Sequence, residues 1–189
     1  ILKLLSYTSA KIAQGEVLQL EHKGEVDMLE ETYLKIINAK TAVLFSAATK
    51  IGGMLSNATR KQKEALEFYG KNLGLTFQMA DDTLDYNANL NLFGKKIGKD
   101  FFEGKVTLPI ILSYQESNSK EKKLIKDIFT KQERTDNDFK DILKLISKYK
   151  IINQCYKKAE YFINLSYNSL SVFNDSEEKK ILKNLTTFS

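Results

Sequence analysis

Three aspartates, Asp81, Asp82 and Asp85, fall within five residues of an otherwise apolar stretch. On a helix of about 3.6 residues per turn, Asp81 and Asp85 lie one above the other and Asp82 lies about 100° round the axis. Gln78, one turn earlier, shares their side of the helix. Like charges at this spacing weaken a helix by roughly 0.2–0.5 kcal/mol per pair, so folding alone does not explain the cluster.

A divalent cation would give this cluster a chemical use. Magnesium prefers oxygen ligands, keeps several water molecules, and is usually held by one or two carboxylates together with substrate phosphates. The spacing of the aspartates therefore predicts an Mg²⁺ site, and a solvated helix face is the alternative interpretation.

The segment that follows the aspartates favours the metal site. Residues Gly94–Asp100 and Glu103–Pro109 supply several lysines and glycines. Lysines provide countercharge for a metal-bound polyanion, and glycines allow a ligand to approach the backbone closely. We therefore expect a small anionic substrate near this segment.

The composition limits the class of protein. The 189 residues are 42% hydrophobic, enough for one sizeable core, and we predict a single domain or part of one. The net charge is +5, but the lysines are spread over every segment and balanced by acids at helical spacing. This pattern indicates solvated helix faces rather than a nucleic-acid surface. The single Cys155 excludes an internal disulfide framework and is predicted to be buried.

No apolar run approaches the roughly 18 residues of a membrane span, and no signal-peptide pattern opens the chain. We therefore predict a cytoplasmic protein that is not integral to a membrane.

The apolar residues recur at helical intervals and no alternating strand pattern appears, so the sequence predicts an all-α fold. Capping-box spacing at Asp27 and Thr59 predicts two helix starts. Gly15, and the pair Gly70 and Gly74, are expected where a neighbouring helix comes close. Residues 94–105 are expected to form a loop. Helices are predicted over 1–23, from Asp27 to Gly53, from Thr59 to Asn87–Asn91, after Thr107 with Pro109 in the first turn, over 119–131, 136–148 and 151–173, and from 174–176 onward.

Lys40 and Thr41 fall in the middle of the second predicted helix. A lysine at such a position either turns its ammonium group inward or extends it along the surface to water. The sequence leaves both alternatives open.

Four linked motifs lie between residues 15 and 109. They are Gly15–Gln19, Lys40–Ala42 with Leu44–Phe45, Phe77–Gln78 with Asp81, Asp82 and Asp85, and Gly94–Asp100 with Gly104–Pro109. Together they resemble the trans-polyprenyl diphosphate synthases, especially the long-chain type that includes octaprenyl diphosphate synthase, and their order and spacing are those of the C-terminal half of such an enzyme. The resemblance implies an isoprenoid-synthase-type helical bundle, whose first aspartate-rich motif and N-terminal helices would precede Ile1.

The resemblance implies a Mg²⁺-dependent prenyltransferase. Such an enzyme condenses isopentenyl diphosphate head-to-tail with an allylic diphosphate and makes a long-chain polyprenyl diphosphate, a precursor of quinone side chains. No side chain serves as nucleophile or as general acid or base, because departure of the diphosphate leaves an allylic cation that the double bond attacks. Asp81, Asp82 and Asp85 would bind Mg²⁺, and Lys40, Thr41, Gln78, Lys95 and Lys105 would hold the diphosphate or orient the reacting end.

Because the resemblance covers only the C-terminal half of the enzyme, we expect this chain to be inactive in elongation by itself. The remainder would lie elsewhere, be supplied by another polypeptide, or be lost. The family implies a homodimer, or association with an N-terminal segment or a full-length synthase. The alternative is a non-catalytic helical partner or remnant that dimerises with or regulates a complete synthase.

Overall fold

The computed structural model describes residues 1–87 and 97–186. Within these ranges the regular structure is helical and no strand occurs, so the all-α prediction is confirmed. The α-helices of the described ranges are α1 (Leu2–Glu21), α2 (Glu30–Ile37), α3 (Val43–Leu55), α4 (Arg60–Leu84), α5 (Lys99–Glu103), α6 (Leu108–Glu116), α7 (Ser119–Phe129), α8 (Asp136–Lys148), α9 (Ile151–Ser169) and α10 (Glu177–Leu185), and a 3₁₀ turn over Leu170–Val172 follows α9.

Local capping signals located several helix starts correctly. The Thr59 hydroxyl accepts the backbone N–H of Gln62 at 3.3 Å, and the Gln62 side chain accepts the backbone N–H of Thr59 at 2.9 Å. This is the predicted capping box at the start of α4. Thr107 is the N-cap of α6 and Pro109 lies in the first turn, also as predicted.

The capping box predicted at Asp27 was wrong. Helix α2 begins three residues later, at Glu30, and the Asp27 carboxylate instead accepts a hydrogen bond from Lys126 Nζ at 2.7 Å. The two residues are 99 positions apart, so local spacing could not reveal the competing partner.

The helix predicted from Asp27 to Gly53 is interrupted. A π-helical turn over Asn38–Ala42 separates α2 from α3. We call it the π-turn. Such turns are rare and often occur at functional sites, and this one carries Lys40 and Thr41.

The segment predicted as a loop contains a short helix, α5. Gly98 and Gly104 flank it with φ of 87° and 74°, a left-handed conformation that disfavours residues with a side chain. The expectation of a continuous loop over 94–105 is therefore wrong for Lys99–Glu103. Residues 94–96 lie outside the described ranges.

The chain divides into two compact units. Unit 1 comprises Ile1–Val17, Leu34–Gln78 and Lys158–Ser189, and unit 2 comprises Leu18–Tyr33 and Met79–Lys157. The single domain predicted over residues 1–189 stays a prediction. Fully or nearly fully buried side chains form a core in each unit. In unit 1 they include Ala42, Ala47, Tyr69, Leu75 and Leu170, and in unit 2 Phe101, Ile110, Ile125, Ile142 and Cys155.

The predicted burial of Cys155 is confirmed. Among the described residues, no helix combines the length and the hydropathy that a membrane-spanning segment requires.

Candidate functional site

Asp82, near the end of α4, is a buried carboxylate in unit 2. Only 4% of its surface is exposed, and its Oδ2 accepts a 2.7 Å hydrogen bond from the hydroxyl of Tyr33 on α2. A buried charge requires such partners because it has lost its hydration. Burial and the neighbouring Asp82 charge raise the pKa of Tyr33 well above its ordinary value. The phenol therefore stays protonated and remains a donor to Asp82.

Asp85, just beyond the end of α4, caps the following helix. Its Oδ1 accepts the backbone N–H groups of Gly98 and Lys99, both at 3.1 Å, and its Oδ2 accepts that of Asp100 at 2.8 Å. The N-cap residue of α5 is Gly98, which has no side chain to accept these donors, so Asp85 satisfies them.

Two opposing effects act on the ionisation of Asp85. Burial is the largest and raises the pKa of its carboxyl group, and the charge of Asp100 acts in the same direction. The three backbone N–H donors lower it, but the net shift is upward.

Asp81 is exposed on α4, unlike its buried neighbour Asp82. In residues 1–87 and 97–186, no three Asp, Glu, His or Cys side chains converge closely enough to hold a metal ion by themselves. The donor chemistry still fits Mg²⁺, since carboxylate oxygens are hard ligands and one or two of them suffice when substrate phosphates and water complete the coordination. The aspartates therefore suit a metal bound together with its substrate.

Lys105 lies at the other end of α5. Its Nζ is 2.7 Å from Glu103 Oε2 and 3.2 Å from Asp100 Oδ1. Partial burial lowers the pKa of Lys105, but the hydrogen bonds and charges of these two acids outweigh that effect and raise it overall. Lys105 is thus a permanent cation. A bound diphosphate would have to compete with the two carboxylates for it.

In unit 1 the structure brings Thr41 and Gln78 together. The Thr41 hydroxyl donates a 2.7 Å hydrogen bond to Gln78 Oε1. Lys40 is partly buried, and its Nζ lies 3.2 Å from Glu16 Oε1 on α1. The sequence left open whether Lys40 turns inward or extends to water, and the structure shows an intermediate arrangement. The side chain is partly buried, and its ammonium group pairs with an acid.

Two glycines allow helices to press against the π-turn. A Cβ atom added to Gly15 on α1 would lie 2.5 Å from the backbone nitrogen of Lys40, and one added to Gly74 on α4 would lie 2.6 Å from Ala42 Cα. Neither distance leaves room for a side chain. The close approaches predicted at Gly15 and Gly74 are confirmed.

Two residues that contact the predicted site residues were not predicted from the sequence. Tyr33 donates a hydrogen bond to Asp82, and Glu16 pairs with Lys40. Glu16 belongs to the motif Gly15–Gln19, which was a signal without an assigned partner. Tyr33 carried no local signal. The predicted diphosphate ligand Lys95 lies outside the described residues.

A protein-family model described as "Polyprenyl synthetase" matches residues 1–146. The octaprenyl diphosphate synthase of Haemophilus influenzae is 31% identical over 192 aligned positions, which cover 100% of this chain and 57% of that protein. The geranylgeranyl diphosphate synthase of Methanosarcina mazei is 33% identical over 185 positions, covering 98% of this chain and 55% of that protein.

A solved structure, the polyprenyl synthase of Caulobacter crescentus complexed with calcium and isoprenyl diphosphate, superposes with a TM-score of 0.93. It is 36% identical, and the match covers 99% of this chain and 57% of that chain. The chain thus spans a little more than half the length of the proteins it matches.

Proposed function

The chain belongs to the polyprenyl synthetase family, as the four motifs predicted, and from this premise we propose that it takes part in Mg²⁺-dependent prenyl transfer. The predicted isoprenoid-synthase-type helical fold is confirmed by the structural match. The observation that carries the proposed activity is the buried, hydrogen-bonded carboxylate of Asp82 beside the exposed carboxylate of Asp81. Folding has little use for a buried charge, whereas a cation bound with its anionic substrate requires one.

In the proposed reaction isopentenyl diphosphate condenses head-to-tail with an allylic diphosphate. The allylic C–O bond breaks and its electron pair leaves with the diphosphate. The double bond of isopentenyl diphosphate then supplies the electron pair of the new C–C bond, and a proton is lost from the resulting cation. None of these steps requires a protein nucleophile.

The demand on the protein is electrostatic. Asp81, Asp82 and Asp85 would hold Mg²⁺, which when bound supplies positive charge to the departing diphosphate. Preorganised cations near a leaving group stabilise the charge that develops there, and they need no rearrangement during the step. We assign this role to Lys40, Lys95 and Lys105.

Thr41 and Gln78 are proposed to orient the diphosphate or the reacting end of the allylic substrate. Their 2.7 Å hydrogen bond supports this assignment, since it orients both polar groups before a ligand arrives.

For the product we propose a long-chain polyprenyl diphosphate, a precursor of a quinone side chain. The octaprenyl diphosphate synthase that aligns with all of this chain supports a long product. The similarity to a geranylgeranyl diphosphate synthase is comparable, so a shorter product is the outcome that would correct this assignment.

We further propose that these 189 residues do not elongate prenyl chains alone, because the matched enzymes are considerably longer. Activity would then require a homodimer, a further segment or a full-length synthase.

A second candidate function is a non-catalytic partner that dimerises with or regulates a complete synthase. The outer face of α1 favours it, since Leu2 and Val17 in unit 1 are 79% and 55% exposed. Leu5, also in unit 1, is 43% exposed and lies on the same side of the helix. Exposed apolar side chains that share one face, unlike single ones, often mark an interaction surface.

Calorimetric titration separates the two functions. The chain is titrated with an unreactive allylic diphosphate analogue in Mg²⁺ and again in EDTA, and the double variant Asp81→Ala, Asp82→Ala is the comparison. Prenyl transfer predicts binding that requires Mg²⁺ and is lost in the double variant. Absence of binding, or equal binding by the double variant, would reject the substrate site and favour the non-catalytic partner.

A turnover assay with radiolabelled isopentenyl diphosphate tests the dependence on a further polypeptide. We expect no product from the chain alone, and product when a complementary N-terminal segment is added. Elongation by the chain alone would show that the proposed requirement is wrong.

A further inference from the structure

Tyr33 is distinguished from the other buried tyrosines by what its hydroxyl contacts. It is 2% exposed on α2, and its hydroxyl donates to Asp82 Oδ2 at 2.7 Å across a sequence separation of 49 residues. Both residues belong to unit 2. A hydroxyl that donates to a carboxylate at this distance makes a strong, charge-assisted hydrogen bond.

This hydrogen bond restricts the rotation of the Asp82 carboxylate. The terminal torsion of an aspartate is broad, because no steep barrier separates its orientations. A fixed donor on Oδ2 selects one of them. An ionised carboxylate offers about four lone-pair positions, so a hydrogen bond on one oxygen does not exhaust its capacity to bind a cation.

Resting on the proposed function, we infer that Tyr33 is a positioning residue for the metal site, whose hydroxyl orients the Asp82 carboxylate for Mg²⁺. Carboxylates that bind metals are commonly held by hydrogen bonds from residues outside the coordination sphere. Loss of such a partner typically weakens metal binding by about 10–100-fold.

Tyr69 provides a closely matched control. It is 1% exposed, and its hydroxyl also donates a 2.7 Å hydrogen bond, but to the backbone carbonyl of Leu182 within unit 1. Replacing either tyrosine by phenylalanine removes one hydroxyl and one hydrogen bond of the same length. Only the replacement at Tyr33 removes a hydrogen-bond donor from a carboxylate of the proposed metal site.

The test measures Mg²⁺ affinity of the 189-residue chain by calorimetry in the presence of inorganic pyrophosphate. We expect Tyr33→Phe to bind Mg²⁺ about 10–100-fold more weakly than the unsubstituted chain. Tyr69→Phe is expected to stay within about twofold. Both variants should lose melting temperature, and Tyr33→Phe should lose more, because its hydrogen bond is buried and charge-assisted whereas that of Tyr69 is part-buried and goes to a neutral carbonyl. Circular dichroism verifies that both remain folded.

Tyr33→Leu separates positioning from general stability. This variant removes the ring as well as the hydroxyl, so its melting temperature should fall further than that of Tyr33→Phe. If the hydroxyl positions Asp82, its Mg²⁺ affinity should nevertheless equal that of Tyr33→Phe.

Two results would overturn the inference. One is unchanged Mg²⁺ affinity in Tyr33→Phe. The other is an affinity that falls in step with melting temperature across Tyr69→Phe, Tyr33→Phe and Tyr33→Leu, since that pattern reports only stability. Failure of the unsubstituted chain to bind Mg²⁺ with pyrophosphate would instead reject the proposed function, and this inference with it.

Discussion

The backbone of Lys40 lies so close to Gly15 that a Cβ atom on Gly15 would be 2.5 Å from the Lys40 nitrogen. The π-turn is held from a second helix as well, because a Cβ on Gly74 would be 2.6 Å from Ala42 Cα. The turn that carries Lys40 and Thr41 is therefore packed backbone against backbone. Its position depends on the absence of two side chains.

We predict that Gly15→Ala and Gly74→Ala each destabilise the chain by about 1–3 kcal/mol, because the added methyl group forces the π-turn to move. Gly52 is the matched control, since it lies within α3 and has no atom within 4 Å of an added Cβ. Gly52→Ala should be neutral or stabilising by about 0.5–1 kcal/mol, because alanine is the better helix former. Urea denaturation measures all three, and equal effects would show that packing at the π-turn is not the cause.

Substitutions at Asp85 should separate its capping role from its proposed metal role. Asp85→Asn retains one side-chain oxygen for the backbone donors of Gly98 and Lys99 but places an NH₂ group against the Asp100 N–H, so it should lose only part of the cap while Mg²⁺ affinity falls. Asp85→Ala removes both functions and should also cost about 0.5–2 kcal/mol, the usual effect of losing a helix cap. Melting curves and Mg²⁺ titrations with pyrophosphate provide the two readouts. An Asn variant as unstable as the Ala variant would contradict the separation.

Asp81→Asn is the comparison for those variants. Asp81 is exposed, so its substitution should leave the melting temperature unchanged while it lowers Mg²⁺ affinity. Unchanged affinity would exclude Asp81 as a ligand.

Acid should destabilise the chain through Asp138. Hydrogen bonds from Lys131 and from the Thr135 backbone hold the pKa of Asp138 at about 2, below the 3.8 of an unperturbed aspartate. A lowered pKa in the folded state means that the stabilisation is complete above pH 4 and is lost as the pH falls towards 2. We expect ionised Asp138 to contribute about 1 kcal/mol to the free energy of unfolding, after allowing for solvent screening.

Asp138→Asn is the control for the acid effect. The variant cannot titrate at this position, so its stability should vary less between pH 4 and pH 2 than that of the unsubstituted chain. Parallel pH profiles from urea denaturation would show that Asp138 does not contribute.

Lys95, predicted from sequence as a diphosphate ligand, should affect binding more than stability. We expect Lys95→Ala to weaken pyrophosphate binding in Mg²⁺ by about tenfold, since one charge-assisted contact is lost. Lys144→Ala removes the same charge from an exposed lysine on α8 and should bind normally. A large loss of melting temperature in Lys95→Ala would indicate a structural role instead.

Helix caps and turns could be predicted from the sequence because they depend on residues that are close together in the chain. The capping box at Thr59 and the Pro109 turn each depend on a few neighbouring residues. The spacing of Gly70 and Gly74 predicted a close approach but not its partner, which for Gly74 is Ala42. The α5 helix was not predicted, since its first N–H groups are satisfied by Asp85, more than ten residues earlier. The π-turn likewise depends on glycines from other helices.

The candidate site likewise combines features that the local sequence predicts with pairings that it does not. Residue type and spacing predicted the aspartates as metal ligands, but the hydroxyl that donates to Asp82 is 49 positions away, and Glu16 reaches Lys40 from another helix. Such pairings become visible only once the chain has folded.

The 2.7 Å hydrogen bond between Thr41 and Gln78 joins the π-turn to α4 across 37 positions of the chain. A threonine hydroxyl and a glutamine amide can each donate and accept, so this pair can reverse the direction of its hydrogen bond without any movement of the backbone. A ligand that bonds to one of the two side chains therefore changes what the other can offer, and the pair responds to an incoming molecule as one unit.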